Sequence, residues 1–473
     1  MRSSILFLTF ATVIARCLAA TDGGGALAVP PSQYFEGNDG PWSTFDIRVG
    51  TPEQFIRVLI STASPQTMVP LESDGCSSSV FSTIPPDCAV SRGGLFNYSD
   101  SSTWSYIGLH GINGNGVGLE ANLGYTLRAQ FGKDKLGLGL NGPSLSDQIV
   151  AGFATPSPFY FGVLGLNGQP PNLTTLGNSS APALLTTLKD QKKIPSLSWS
   201  YTAGARYRLK QVYGQLIFSG YDASRFERNT ASFSMAGDVT RDLVVVLQSI
   251  SYTGGSASSQ LLPSGAINIY IDSTDPHIWL PQTACTAFEQ AFGLTLDSKS
   301  GLYLVNDSHH ETLLDQDAQV TFRIADVREG GEAVAIRLPY RAFDLEALNP
   351  LVDGGSARSR YFPLKRAANA TQYTLGRTFL QEAYLSADYE RKVFNVSACT
   401  WREGAEEDII TIPSRAGNTG PNGDSGSSGN ESGGSGGSGL STGQIAGIAV
   451  GSVLAALLII ALIGLCVLRQ RRK

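Results

Sequence analysis

The sequence is poor in charge: 16% of its 473 residues are Asp, Glu, Lys or Arg, against roughly a quarter in an ordinary soluble domain. That scarcity argues against helical bundles and coiled coils. Basic residues are the scarcer sign, 35 against 40 acidic, and six of the 35 fall in the first sixteen or last five positions. The body is therefore acidic and lacks the basic footprint that nucleic acid demands. Histidine is almost absent, with four in the chain. His277 stands alone, and His309-His310, flanked by Asp307, Ser308 and Glu311, reads as an exposed polar loop rather than a metal site. No Ser/His/Asp order suggests a hydrolase triad. Gly111-Ile-Asn-Gly114-Asn-Gly116 has no phosphate-binding Lys and reads as a loop. No cofactor and no metal are expected. What is plentiful is turn-forming residues, 53 Gly and 23 Pro, which point to a body of many short strands.

The two ends are of a different kind. Residues 1–20 carry an early Arg2, an apolar run from Ile5 to Ala15 and small residues before Thr21, the layout of a secretory signal peptide. Residues 445–468 hold no charge and, at about 1.5 Å per residue, are long enough to span a bilayer. The basic tail 469–473 follows at once and belongs on the cytoplasmic side, which predicts a type I protein of the plasma membrane or cell surface with its body outside. Gly443, Gly447 and Gly451 recur every four residues and would let two such helices pack closely, although membrane spans are rich in glycine in any case. Residues 414–442 are dominated by Gly, Ser and Asn and read as a flexible stalk.

With Cys17 in the signal and Cys466 in the span, the exterior keeps Cys76, Cys88, Cys285 and Cys399, an even count that implies two disulfides. Cys76–Cys88 with Cys285–Cys399 is the preferred pairing, and spacing leaves the other two open. Seven Asn-x-Ser/Thr sites, at Asn97, Asn172, Asn178, Asn306, Asn369, Asn395 and Asn430, fit a glycosylated exterior.

The body, about 21–413, consists of short alternating apolar segments such as Phe45–Val49, Phe55–Ile60, Val212–Phe218, Leu243–Tyr252 and Ala266–Ile271. This is an all-β pattern. One helix is predicted over Ala284–Gly293, with Phe288 and Phe292 on one face, and another from near Ala181 to Lys192-Lys193. Sliding the chain by 211 residues sets IRVLISTASPQTMVP (56–70) on INIYIDSTDPHIWLP (267–281), and Gly162–Leu166 on Tyr373–Arg377. One ungapped offset satisfying two separated segments marks an internal duplication. Two β lobes, 21–210 and 211–413, are expected to face each other across a cleft. At the strand-to-turn junction the second lobe has Asp272 where the first has Ser61.

These residues resemble the pepsin-like aspartic protease family. Trp42 to Pro52 is similar to its opening strand and Gly-Thr-Pro turn, and Cys76 through Cys88 to Ser101-Ser102-Thr103-Trp104 to its first disulfide and following turn. Ser61-Thr62-Ala63-Ser64 and Asp272-Ser273-Thr274-Asp275 occupy the places of its two active-site loops. Phe161–Leu166, Tyr373–Leu380 and Ala383–Asp388 follow its remaining strands.

The resemblance implies a bilobal fold and a dyad of facing carboxylates that share a proton and hold a water, because like charges so close cannot both ionise. Asp272 fills one role; Ser61 has no accessible anionic state for the other. Both loop glycines of the family are also replaced, by Ala63 and Thr274. Tyr125 in Gly124-Tyr125-Thr126-Leu127 is the candidate for the family's flap tyrosine, and no basic prosegment separates Ala20 from Gln33. Asp275, on the same loop, offers an alternative partner for Asp272, while the plainer role for Asp272 is a structural carboxylate bonded to Ser273 and nearby backbone. The expectation is a membrane glycoprotein with an impaired dyad that uses its cleft to bind a peptide or protein; the rival is an active acid endopeptidase.

Overall fold

The computed structural model describes residues 24–112, 123–173, 179–352 and 358–415. The expected signal, most of the expected stalk, the expected span and basic tail, Asn178 and Asn430 lie outside them, as does much of the 111–116 stretch. Among the described residues no helix is long and apolar enough to cross a membrane.

Three large sheets make the body. In the first lobe, Gln54–Ser61 lies beside Gly162–Gly165 within an eight-stranded sheet. In the second, Ile267–Ile271 lies beside Thr374–Leu375 within another. A six-stranded sheet joins the lobes: Ser198–Ala205 pairs with Val212–Phe218 on one side and Ala383–Asp388 on the other. Its outer member Leu27–Val29 comes from the start of the described chain.

The duplication read from the sequence is visible in strand register. Ile60 pairs with Leu164 in parallel, and Ile271 with Leu375. Met68 pairs with Val163 in antiparallel fashion, and Trp279 with Thr374. These strands are covered on both faces, which is why they read as apolar runs, whereas the surface hairpin Gln319–Ala325 and Ala333–Pro339 alternates. Gly165 and Gly376 are demanded by close approach: a Cβ there would collide with the carbonyl oxygens of Ser64 and Gln66, or of Asp275 and His277.

Helix Gln282–Phe292 forms as predicted, buries Ala284, Cys285, Phe288 and Phe292, and stops at Gly293 with φ of 63°. The helix near Ala181 is shorter than predicted, Leu184–Asp190. Pro182 keeps its predecessor extended, and Lys192 adopts a φ of 55°, beyond the helix end. His309-His310 is not an exposed loop. The Asn306 side chain accepts the His309 N–H at 2.9 Å and caps helix Asp307–Asp315. His310 is buried, with Nδ1 3.3 Å from the Tyr340 hydroxyl and 3.2 Å from the Asp344 carboxylate.

Among the described residues one disulfide, Cys76–Cys88, is formed, and the pairing of Cys285 with Cys399 is not. The two thiols lie in different layers of the fold and each has local partners. Cys285, on helix Gln282–Phe292, donates to Lys365 O at 3.4 Å. Cys399, beside the six-stranded sheet, has Sγ 3.5 Å from Thr202 Oγ1. Burial pushes both thiols up to about 12.

Candidate active site

Strands Gln54–Ser61 and Ile267–Ile271 end side by side, and the turns that follow exchange hydrogen bonds symmetrically. The Thr62 N–H donates to Ser273 Oγ and the Ser273 N–H to Thr62 Oγ1, each at 3.0 Å. Each hydroxyl then reaches the strand opposite: Ser273 Oγ donates to Ile60 O at 2.7 Å, and Thr62 Oγ1 lies 3.5 Å from Ile271 O. Ser273 is thus spent on the other lobe and does not bond Asp272, contrary to the sequence expectation.

This exchange brings Ser61 and Asp272 to the middle of the junction, both fully buried. The Ser61 hydroxyl lies 2.6 Å from Thr274 Oγ1 and accepts the Ser64 N–H at 2.9 Å. Thr274 donates its own N–H to Asp272 Oδ1 at 2.8 Å. Thr274, at a position where the family resemblance expects glycine, therefore bridges the serine and the carboxylate. Ala63, its counterpart, has no polar atom to contribute and packs in the core.

Asp272 is 1% exposed, and burial pushes its carboxyl up to about 6 against the opposing pull of the Thr274 hydroxyl and N–H, with the Asp275 charge adding to the rise. The Tyr125 hydroxyl stands 3.4 Å from Asp272 Oδ2, where the flap candidate was expected, and its ring lies against Phe159. Burial, with Asp272 next, raises the Tyr125 hydroxyl well above its usual range, so it stays a donor.

Asp275 turns elsewhere. Its Oδ1 accepts the His277 N–H at 2.7 Å, lies 2.8 Å from His277 Nδ1 and 3.3 Å from Trp279 Nε1. Burial works to raise this carboxyl, but His277 outweighs it through charge and hydrogen bonds and holds it below its ordinary value. Its counterpart Ser64 makes the neutral version of the same turn, with the Gln66 N–H donating to Ser64 Oγ.

Sequence reasoning missed one residue of this site. Arg377 is buried behind the second loop, its Nη1 3.3 Å from Ser273 O and 3.4 Å from Thr274 O. Its Nη2 pairs with Asp39 at 2.9 Å, and its guanidinium stacks over Trp42. The signal was in the duplication, which sets Arg377 opposite the apolar Leu166.

Chemically, the site offers one proton-exchanging carboxyl near pH 6, three hydroxyls around it and a cation behind the loop that carries it.

Among curated proteins no sequence match was found. Among solved structures, the aspartic proteinase from Irpex lacteus is similar with a TM-score of 0.53 at 16% identity, covering 80% of this chain and 99% of that one. At that identity the likeness concerns the fold. The model of the eukaryotic aspartyl protease family matches residues 44–399, a stretch that includes both site loops, Tyr125 and the strands Ala383–Asp388 and Val393–Ala398. With three quarters of its length matched by that model and the two lobes related in register, the chain belongs to the eukaryotic aspartyl protease family.

Proposed function

We propose that this chain is a membrane-anchored, glycosylated member of the family whose cleft binds a peptide or protein segment without efficient cleavage. The observation that carries the reading is the Ser61–Thr274 contact at 2.6 Å: two hydroxyls stand where a second carboxylate and its water would be needed. General acid–base assistance is worth about 10² to 10⁴ in rate, so one carboxyl working without its partner is a severe handicap. The anchor rests on the uncharged run 445–468 and the basic tail 469–473. Glycosylation is supported by the exposure of Asn306, Asn369 and Asn395.

A second reading is an acid endopeptidase working through Asp272 and a water held by Ser61. It is favoured by the Asp272 carboxyl, poised at about 6 beneath Tyr125, and by the intact exchange between Thr62 and Ser273. The full-length chain, incubated in detergent with a mixed peptide library across mildly to strongly acid pH with and without pepstatin, separates the two. No cleavage above an Asp272→Asn control is expected. Robust pepstatin-sensitive cleavage lost in that variant establishes the second reading instead.

A further inference from the structure

Behind the site, residues 236–242 form a turn closed by the Ala236 N–H donating to Asp242 O at 2.8 Å and by Asp238, whose carboxylate accepts from Thr240 N and Oγ1. The turn reaches both site loops through one intermediate residue each, Asn167 and Tyr270. Val239 O accepts Asn167 Nδ2 at 3.2 Å, and the Asn167 N–H in turn donates to Ser64 O of the first loop at 3.0 Å. Thr240 O accepts the Tyr270 hydroxyl at 3.1 Å, two residues before Asp272, and Arg241 stacks on the Tyr270 ring. Leu243, next in the chain, accepts the Ile271 N–H.

At the base of the turn Asp242 is 3% exposed, and its Oδ1 has no hydrogen-bond partner. Beside it lie the Tyr389 hydroxyl, which acts on both Asp242 and Trp199, and, from the six-stranded sheet, Trp199 Nε1; both are buried and neither completes a well-aligned hydrogen bond among the described residues. The Tyr389 hydroxyl therefore links buried polar groups from three parts of the chain, none of them well bonded. The Tyr389 ring fills the space that a side chain at position 168 would need, so the first lobe is pressed against the same cluster.

We propose that Asp242 is a proton-operated latch between the lobes: protonated, it keeps the 236–242 turn seated against Tyr389 and Trp199, and ionised, it releases the turn from behind both site loops. An ionised carboxylate with an oxygen lacking a donor is costly to bury, and the route to water is short, because Val239 at the tip of the turn is 47% exposed. The groups facing Asp242 are Tyr389 from the turn after Ala383–Asp388, Tyr270 from Ile267–Ile271, and Asp238 and Arg241 from its own turn. None is a cation aimed at its free oxygen. Burial pushes the carboxyl up to about 7, while the Tyr389 hydroxyl holds it down. The latch is independent of whether the cleft cuts or only binds.

The test follows tryptophan fluorescence of the full-length chain from about pH 5 to pH 9. A transition centred near about 7 is expected, abolished by Asp242→Asn and by Trp199→Phe, retained in Asp272→Asn, and moved to higher pH in Tyr389→Phe, which lacks the hydroxyl that favours the ionised form. Hydrogen exchange at 61–64 and 272–275, corrected for intrinsic rate, should quicken across the transition in the wild type and stay level in Asp242→Asn. A transition that survives Asp242→Asn, its absence from the wild type, or site loops whose exchange ignores it would each overturn the latch.

Discussion

Residues 61–64 and 272–275 leave their strands at equivalent points and exchange nearly mirror-image hydrogen bonds, yet the ionisable groups gather on one side. The first loop is neutral: Ser61, Thr62, Ala63 and Ser64, with Gln66 and Leu166 behind it. The second places Asp272, Asp275, His277 and Arg377 at the matching positions, with Asp39 drawn in to pair the arginine. The symmetric part holds the lobes together, and the asymmetric part sets protonation. A loop can therefore keep its shape while its chemistry changes, since the shape depends on hydroxyls at 62 and 273 and on the glycines at 165 and 376.

The largest effect is expected from giving the first loop the carboxylate that the second one carries. Ser61→Asp combined with Thr274→Gly should raise pepstatin-sensitive peptide cleavage at acid pH by about 10²-fold or more over either single change. The single Ser61→Asp should gain little, because Thr274 Oγ1 already lies 2.6 Å from the Ser61 hydroxyl. Equal rates for the single and double variants would show that Thr274 is no obstacle.

Making the second loop resemble the first is the converse. Arg377→Leu, which copies Leu166, strands Asp39 beside a buried loop and should cost about 3 kcal/mol in denaturant unfolding. Restoring stability by adding Asp39→Asn would identify the unpaired carboxylate as the cause; a loss unchanged by that addition assigns it to packing.

Next comes the pH dependence that only one loop carries. The Asp272 carboxyl is raised from 3.8 to about 6 on folding, so the native chain binds its proton more tightly than the unfolded chain. Its contribution makes stability fall as pH rises from about 4 through about 6 and level off above, a change of about 3 kcal/mol. Asp275 works the other way: held below its ordinary value, its contribution is complete above that value and is lost in stronger acid. Asp272→Asn should make the slope between about pH 4 and pH 6 shallower, leaving the part that Asp242 carries up to about 7, and leave the acid limb in place. An unchanged slope would assign the titration to another group.

The smallest effect belongs to the shared exchange. Ser273→Ala should cost about 2 kcal/mol, because it leaves the buried Thr62 N–H without its acceptor, and Thr62→Val should cost a similar amount through the Ser273 N–H. Unequal costs would mean that the mirror symmetry of the bonds does not extend to their energies.

Much of this was legible beforehand. The register Ile60 with Leu164 and Ile271 with Leu375 follows from one ungapped offset, because buried strands with invariant turn spacing leave a pattern that survives substitution. Ser61 and Asp272 are linked through Thr274, and Tyr125 stands beside the same carboxylate. What was not legible depends on contacts distant in the chain. Thr274 was read as a missing glycine, and only geometry reveals its hydroxyl as the bridge to Ser61. The Cys285–Cys399 pairing failed because parity counts thiols without locating them. His310 looked solvated because its neighbours in sequence are polar, whereas Tyr340 and Asp344, some thirty residues on, decide its surroundings. The helix carrying it was within reach, since Asn306 is a favoured N-cap residue and Asp307 places an acid in the first turn.

The crossed bonds of Thr62 and Ser273 also bear on how such a chain changes over generations. They bypass position 61, so replacing a carboxylate there removes no strut of the scaffold. Selection for folding alone would then be blind to the replacement, and versions with and without the carboxylate would keep the same bonds between the loops. Thermal stability alone is accordingly no guide to which relatives of this fold still cut peptides.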